Sequence, residues 1–124
     1  MMVDSGTTSH MTTYSDLVIN QRMCNISIYL AEDSKTTAHR IGVRKVTWQG
    51  EKGPIHISLS ATLIARDIRT SLLSVPALVK KNIKPIFLPG KVVFLDLLQK
   101  NKIIDHARQG NDFLFYISDN ESSK

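Results

Sequence analysis

Ile55-His56-Ile57-Ser58-Leu59 sets an apolar side chain at every second position, as a strand with one buried face requires. Upstream, Ile41-Gly42-Val43-Arg44-Lys45-Val46-Thr47-Trp48 alternates again, with Ile41, Val43, Val46 and Trp48 directed at a core. Gln49-Gly50-Glu51-Lys52-Gly53-Pro54 separates the two runs as a loop. Ile26-Ser27-Ile28-Tyr29-Leu30 gives another alternating run, ending at the polar tip Glu32-Asp33-Ser34-Lys35, and Ala61 to Ala65 reads as a further strand. The pattern changes at Leu72, Leu73, Val75, Leu78 and Val79, whose roughly helical spacing within Leu72 to Lys81 predicts a short helix beginning near Ser74. Ser74 would cap that helix and Pro76 would sit in its first turn. Ile83 to Leu88 and Val92 to Leu95 flank Pro89-Gly90-Lys91 as a hairpin, and Phe113 to Ile117 forms a last strand. The chain therefore reads as an all-β domain with one short helix, spanning residues 1–117, and a polar tail over 118–124.

The 124 residues suit one domain with a core of its own. No apolar run approaches the roughly 18 residues of a membrane span, and the chain turns polar at Asp4, so neither a membrane partner nor a secretory signal is expected. Cys24 is the only cysteine, which excludes an internal disulfide and a zinc knuckle. His10, His39, His56 and His106 lack metal-ligand spacing, so neither a metal nor a cofactor is expected. The net charge of +5 comes from scattered residues, with only Arg44-Lys45 and Lys80-Lys81 adjacent. That distribution suits a solvated surface better than a nucleic-acid interface. The sequons at Asn25 and Asn120 carry no weight without a secretory signal.

One short motif carries chemistry. Val3-Asp4-Ser5-Gly6-Thr7 leads an apolar residue into Asp-Ser-Gly, the way aspartic peptidases present a catalytic carboxylate. Asp4 would supply one of two carboxylates that share a proton and activate water. Ser5 is small and hydroxylated, and Gly6 allows a close backbone approach. An ordinary turn is the competing reading of the tripeptide. None of Asp16, Asp33, Asp67, Asp96, Asp105, Asp112 or Asp119 precedes Ser/Thr-Gly, so a dyad would have to be built from two copies about a two-fold axis. His10, six residues after Asp4, reads as structural or exposed rather than catalytic, and Trp48 as core.

Five blocks in order resemble the protease domain of copia-type retrotransposon Pol polyproteins. They are Val3 to Thr12; Ile28-Tyr29-Leu30-Ala31-Glu32-Asp33-Ser34; Ile41 to Val46; Asp67-Ile68-Arg69-Thr70-Ser71-Leu72-Leu73-Ser74-Val75; and Ile83 to Phe94. The resemblance implies a small retropepsin-like β-barrel that cleaves its own polyprotein as a homodimer, in the cytoplasm within virus-like particles or in the nucleus. It implies Asp4, Ser5 and Gly6 at the catalytic turn, with Ser5 bracing the two turns against each other. Leu30, Ala31, Glu32, Asp33 and Ser34 would form a flap over bound peptide, with the Gln49 to Pro54 loop as the competing flap. Leu72-Leu73-Ser74 would stand where relatives support the catalytic loop with an apolar-apolar-Gly turn. Two departures bear on activity: relatives continue a strand upstream of the motif, so the domain is expected to be N-terminally truncated, and Glu32-Asp33-Ser34 replaces Asp-Gly-Ser. Two functions therefore stand side by side, an aspartic endopeptidase if dimeric and intact, and a non-catalytic barrel remnant or interaction module.

Overall fold

The computed structural model describes residues 1–29, 34–50, 53–100 and 102–117. In chain order the strands are β1 (Met2–Asp4), β2 (Met11–Thr12), β3 (Val18–Tyr29), β4 (Lys35–Gly50), β5 (Gly53–Ile64) and β6 (Leu72–Ser74). After the helix α1 (Val75–Lys80) come β7 (Ile83–Leu88), β8 (Lys91–Asp96), β9 (Lys102–Gln109) and β10 (Phe115–Tyr116). They form one sheet in the order β3-β4-β5-β2-β6-β1-β10-β9-β8-β7. The sheet rolls over until β4 meets the far half. The Gln49 amide donates to Asp105 Oδ2 of β9 at 3.2 Å, and Trp48 stacks on Phe94 of β8 with ring centroids 5.6 Å apart. The protein is thus an all-β, barrel-like domain with one short helix.

Two clusters of buried side chains fill the roll. The larger joins Val46, Trp48 and Leu59 to Leu73, Leu78, Val92, Phe94 and Ile104. The smaller gathers Met11, Ile28, Ala38, Ile41, Leu63, Ala65 and Ile68. β4 and β5 serve both, and each changes cluster at an irregularity. In β4 the register shifts between Gly42 and Arg44, and in β5 Ala61 adopts φ +54°. The shift also revises which β4 side chains are buried. Val43 is only half-buried, and Arg44 takes the fully buried place beside it. Gly42 is required here by space. A Cβ would stand 2.5 Å from the Ile19 carbonyl oxygen and 2.6 Å from Val18 Cγ1, so any side chain would force β3 outwards.

Other expectations are met or corrected by pairing. The two segments Ile55 to Leu59 and Ala61 to Ala65 are one strand, continuous through Ala61. Helix formation begins at Val75, next to the expected start at Ser74, and Leu72 and Leu73 are held in β6, where Leu72 pairs with Met2 and with Met11. The cap forms as expected, Ser74 Oγ accepting from the Ala77 amide at 3.1 Å with Pro76 in the first turn. β7 and β8 make the expected hairpin, closed by the Leu88–Lys91 pair. The last strand is shorter than expected, because Phe113 lies at φ +65° in a turn that also bonds the Gly110 amide to the Leu114 carbonyl. The tail 118–124 lies outside the described residues.

Phe94 is fully buried against Trp48. Phe94→Ala should cost about 3–5 kcal/mol, measured as an earlier urea midpoint with Trp48, the single tryptophan, as fluorescent reporter.

Candidate active site

The residues from Ser5 to His10 link β1 to β2, and those two strands lie on opposite sides of β6. β6 runs parallel to β1 and antiparallel to β2. The linking loop must therefore arch over the end of β6, where Ser74 hands the chain to α1. Asp4 stands on the rim of this arch, paired with Ser74 across the β1–β6 ladder.

Within the loop, Asp4 Oδ1 accepts the Gly6 amide at 2.7 Å, an Asx-type turn that fixes the carboxylate. Gly6 is needed for proximity, since a Cβ there would lie 3.3 Å from Asp4 Oδ1. Ser5 and Gly6 are exposed at the tip of the turn. Thr7 Oγ1 donates to the Ser9 carbonyl at 3.1 Å and tightens the second half of the loop.

Beneath it lies a cluster of satisfied, buried polar groups. The Ser74 amide donates to His10 Nδ1 at 3.0 Å, and Ser74 Oγ donates to the Thr7 carbonyl at 2.7 Å while accepting from Ala77. The His10 carbonyl accepts the Leu63 amide of β5 at 2.9 Å. Two residues beyond His10, Ser71 Oγ donates to Thr12 Oγ1 at 3.0 Å. His10, Thr12, Ser71 and Ser74 are all buried, so each bond spares a desolvated group from being left unmade. An amide donor at Nδ1 fixes the neutral tautomer with its proton on Nε2. Burial, and secondarily the charge of Arg44 on β4, push the His10 pKa down from 6.5 to about 4.

A cleft of about 610 Å³ opens beside Asp4. Its floor and walls include Met2, Met11, Leu63 and Leu72, with Thr7, Thr8 and Ser9 from the loop and Ile26 to Tyr29 from the outer end of β3. The C-terminal end of β3 therefore lies on the Asp4 side. Of the expected flap residues, Leu30, Ala31, Glu32 and Asp33 lie outside the described residues, and Ser34 is exposed. Of the competing loop, the described residues Gln49, Gly50, Gly53 and Pro54 do not line the cleft, and Glu51 and Lys52 lie outside the described residues. Among the described lining residues Asp4 is the only carboxylate. No three His, Cys, Asp or Glu side chains converge as metal ligands among the described residues. Sequence reasoning missed the part played by His10 and Ser74. The signal was there in the adjacent polar letters Ser9-His10-Met11-Thr12, but their partners lie more than 50 residues away.

Comparison with known proteins gives one match. The family model described as "Pol polyprotein, beta-barrel domain" fits residues 1–83, from before the loop to the start of β7. Searches of curated proteins and of solved structures returned no match.

The His10 ring has a folded pKa below its unfolded one, so the unfolded chain binds more protons between about pH 4 and 6.5. Its contribution is complete above that window and is lost as the pH falls through it. Wild type should lose about 2 kcal/mol more than His10→Asn between pH 7 and pH 5, read from urea midpoints. Parallel curves for the two proteins would contradict this.

Proposed function

Since the chain belongs to the Pol polyprotein beta-barrel domain family, we propose that it is the aspartic endopeptidase segment of a copia-type retrotransposon polyprotein, acting as a homodimer on peptide bonds of that polyprotein. The observation that carries this reading is the setting of Asp4. Its carboxylate is fixed by the Gly6 amide at the rim of a cleft with an apolar floor, which the C-terminal end of β3 also lines. A groove of this size and lining suits an extended peptide with apolar side chains.

One carboxylate cannot both activate water and protonate the leaving group at the same instant. Two can, if they share one proton. The ionised carboxylate takes a proton from water as the oxygen attacks the carbonyl carbon. The protonated one donates to the carbonyl oxygen, giving a gem-diol. The amide nitrogen then takes the proton that the first carboxylate drew from water, and a gem-diol hydroxyl returns its proton to the second carboxylate as the C–N bond breaks. The second carboxylate is the Asp4 of another copy. β6 pairs along the whole of β1 and β10 pairs with it at Met2, so little of β1 is open to a further strand. The partner therefore meets the exposed tip Ser5-Gly6 end-on, turn against turn, rather than by adding a strand to β1. In this arrangement Ser5 braces the two turns. Leu30 to Ser34 closes over the substrate as the flap, a reading supported by Ile26 to Tyr29, which lead into these residues and line the cleft, while the described residues of the Gln49 to Pro54 loop do not.

Purified protein should cleave a peptide drawn from its own polyprotein, best on the mildly acid side where the pair holds one proton, and Asp4→Asn should lower kcat by ~10³-fold or more. Sedimentation should show dimers at tens of micromolar. Cleavage that survives Asp4→Asn would sink the proposal. A strict monomer without activity would make the chain a non-catalytic barrel module.

A further inference from the structure

We infer that His10 is a positioning residue for the Asp4 loop, an uncharged acceptor that holds the loop in register on the junction of β6 and α1 through Ser74. The inference rests on the endopeptidase reading for its catalytic consequence, and on geometry alone for the tie itself.

The argument starts from an unmet need of the backbone. β2 contributes only Met11 and Thr12, and its pairing with β6 is a single register position, Met11 with Leu72. Beyond that point the chain leaves the sheet to form the loop. The Ser74 amide, two residues further along β6, has no strand left on that side to receive it. It is fully buried, so an unmade bond would be costly. His10 supplies the acceptor. Its own carbonyl is committed to Leu63 of β5 on one side, and its ring reaches back to Ser74 on the other. The residue thus extends β2 by one rung, with a side chain in place of backbone.

The loop is then closed from two directions. Ser74 receives His10 at its amide and gives its hydroxyl proton to Thr7, while the same oxygen caps α1 at Ala77. Between Thr7 and His10 the loop has little freedom to shift along β6, and Asp4 sits just before Thr7 on the strand paired with Ser74. Glycine at position 74 could offer only the amide. Serine adds the link to Thr7 and the cap in one hydroxyl. A cationic imidazole at position 10 could not accept the Ser74 proton, so the function requires the neutral ring. Among the described residues the charged groups around it are Arg44 on β4 and, lining the cavity that His10 shares, Lys80 and Lys81 at the end of α1. All are cations, and the charge of Arg44 disfavours a charge on the ring.

Three variants of the full chain test this. His10→Leu keeps bulk and removes the acceptor, His10→Asn restores an acceptor near the position of Nδ1, and Ser74→Ala keeps the amide bond while removing the link to Thr7. His10→Leu should lower kcat roughly 10- to 100-fold with KM within about threefold of wild type, and His10→Asn should recover to within about threefold. Amide hydrogen exchange gives an arm that needs no activity. In His10→Leu, protection should fall selectively at the Ser74 amide, by about 100-fold, and return in His10→Asn. Ser74→Ala should lower protection at the Ala77 amide, which loses its cap, and leave the Ser74 amide protected by His10, and it decides the matter if His10→Leu does not fold. If wild type cleaves no peptide, the endopeptidase reading falls while the exchange pattern still judges the tie. Unchanged protection at Ser74, or loss spread equally over Leu73, Val92 and Phe94, would overturn it.

Discussion

The strand β6 lies between β1 and β2, and the rest of the site depends on that placement. Three residues, Leu72 to Ser74, are paired in parallel on one side and antiparallel on the other. The loop between β1 and β2 has to cross over the end of β6, and the chain leaving β6 has to turn away beneath it into α1. Ser74 is where these demands meet. A buried amide and a buried hydroxyl at one residue satisfy the loop, the helix terminus and the strand end together, and each bond removes a desolvation cost that the neighbours would otherwise bear.

Around this crossing the long strands do a different task. β4 and β5 run through both clusters of buried side chains, and each changes cluster at a local break rather than by a uniform twist. The break at Gly42 lets β3 come close enough that no Cβ fits, and the one at Ala61 lets β5 bend with it. The smaller cluster then takes in Ile28 and Ala38 from the outer part of the β3–β4 hairpin, and Ile26 to Tyr29 line the cleft together with Asp4. Packing under the hairpin is thereby linked to the geometry of the cleft, since Met11, Leu63 and Ile28 belong to both.

The far half of the sheet, β7 to β10, lies beyond the residues that the family model matches. It is nonetheless part of the same fold. β10 pairs with β1 through Met2 and Tyr116, Met1 and Ile117 exchange backbone bonds, and Val92, Phe94 and Ile104 complete the cluster around Trp48. Asp4 thus stands on a strand whose position is set by both halves. The Ser5-Gly6 turn is left as the exposed end of that strand.

Much of the fold was legible in the sequence because the relevant signals are local. Period-two alternation at Ile55 to Leu59 and Ile41 to Trp48, the Pro89-Gly90 hairpin and the Ser74 cap each depend on neighbours a few residues away. Asp4-Ser5-Gly6 was legible for the same reason: the turn closes on its own Gly6 amide. Where local periodicity misled, pairing had overridden it, as at Leu72 and Leu73, whose helical spacing yields to strands on both sides. His10 could be seen only as a histidine near the motif. Its partner is 64 residues distant, and nothing in the spacing of the letters records that distance. The sequence by itself therefore determined the strands, the cap and the carboxylate-bearing turn, since local backbone geometry dictates them. Only the tertiary structure decided which strand ends meet, and with them what His10 and Ser74 do. Long-range pairing and the need to satisfy buried polar groups have no local signature.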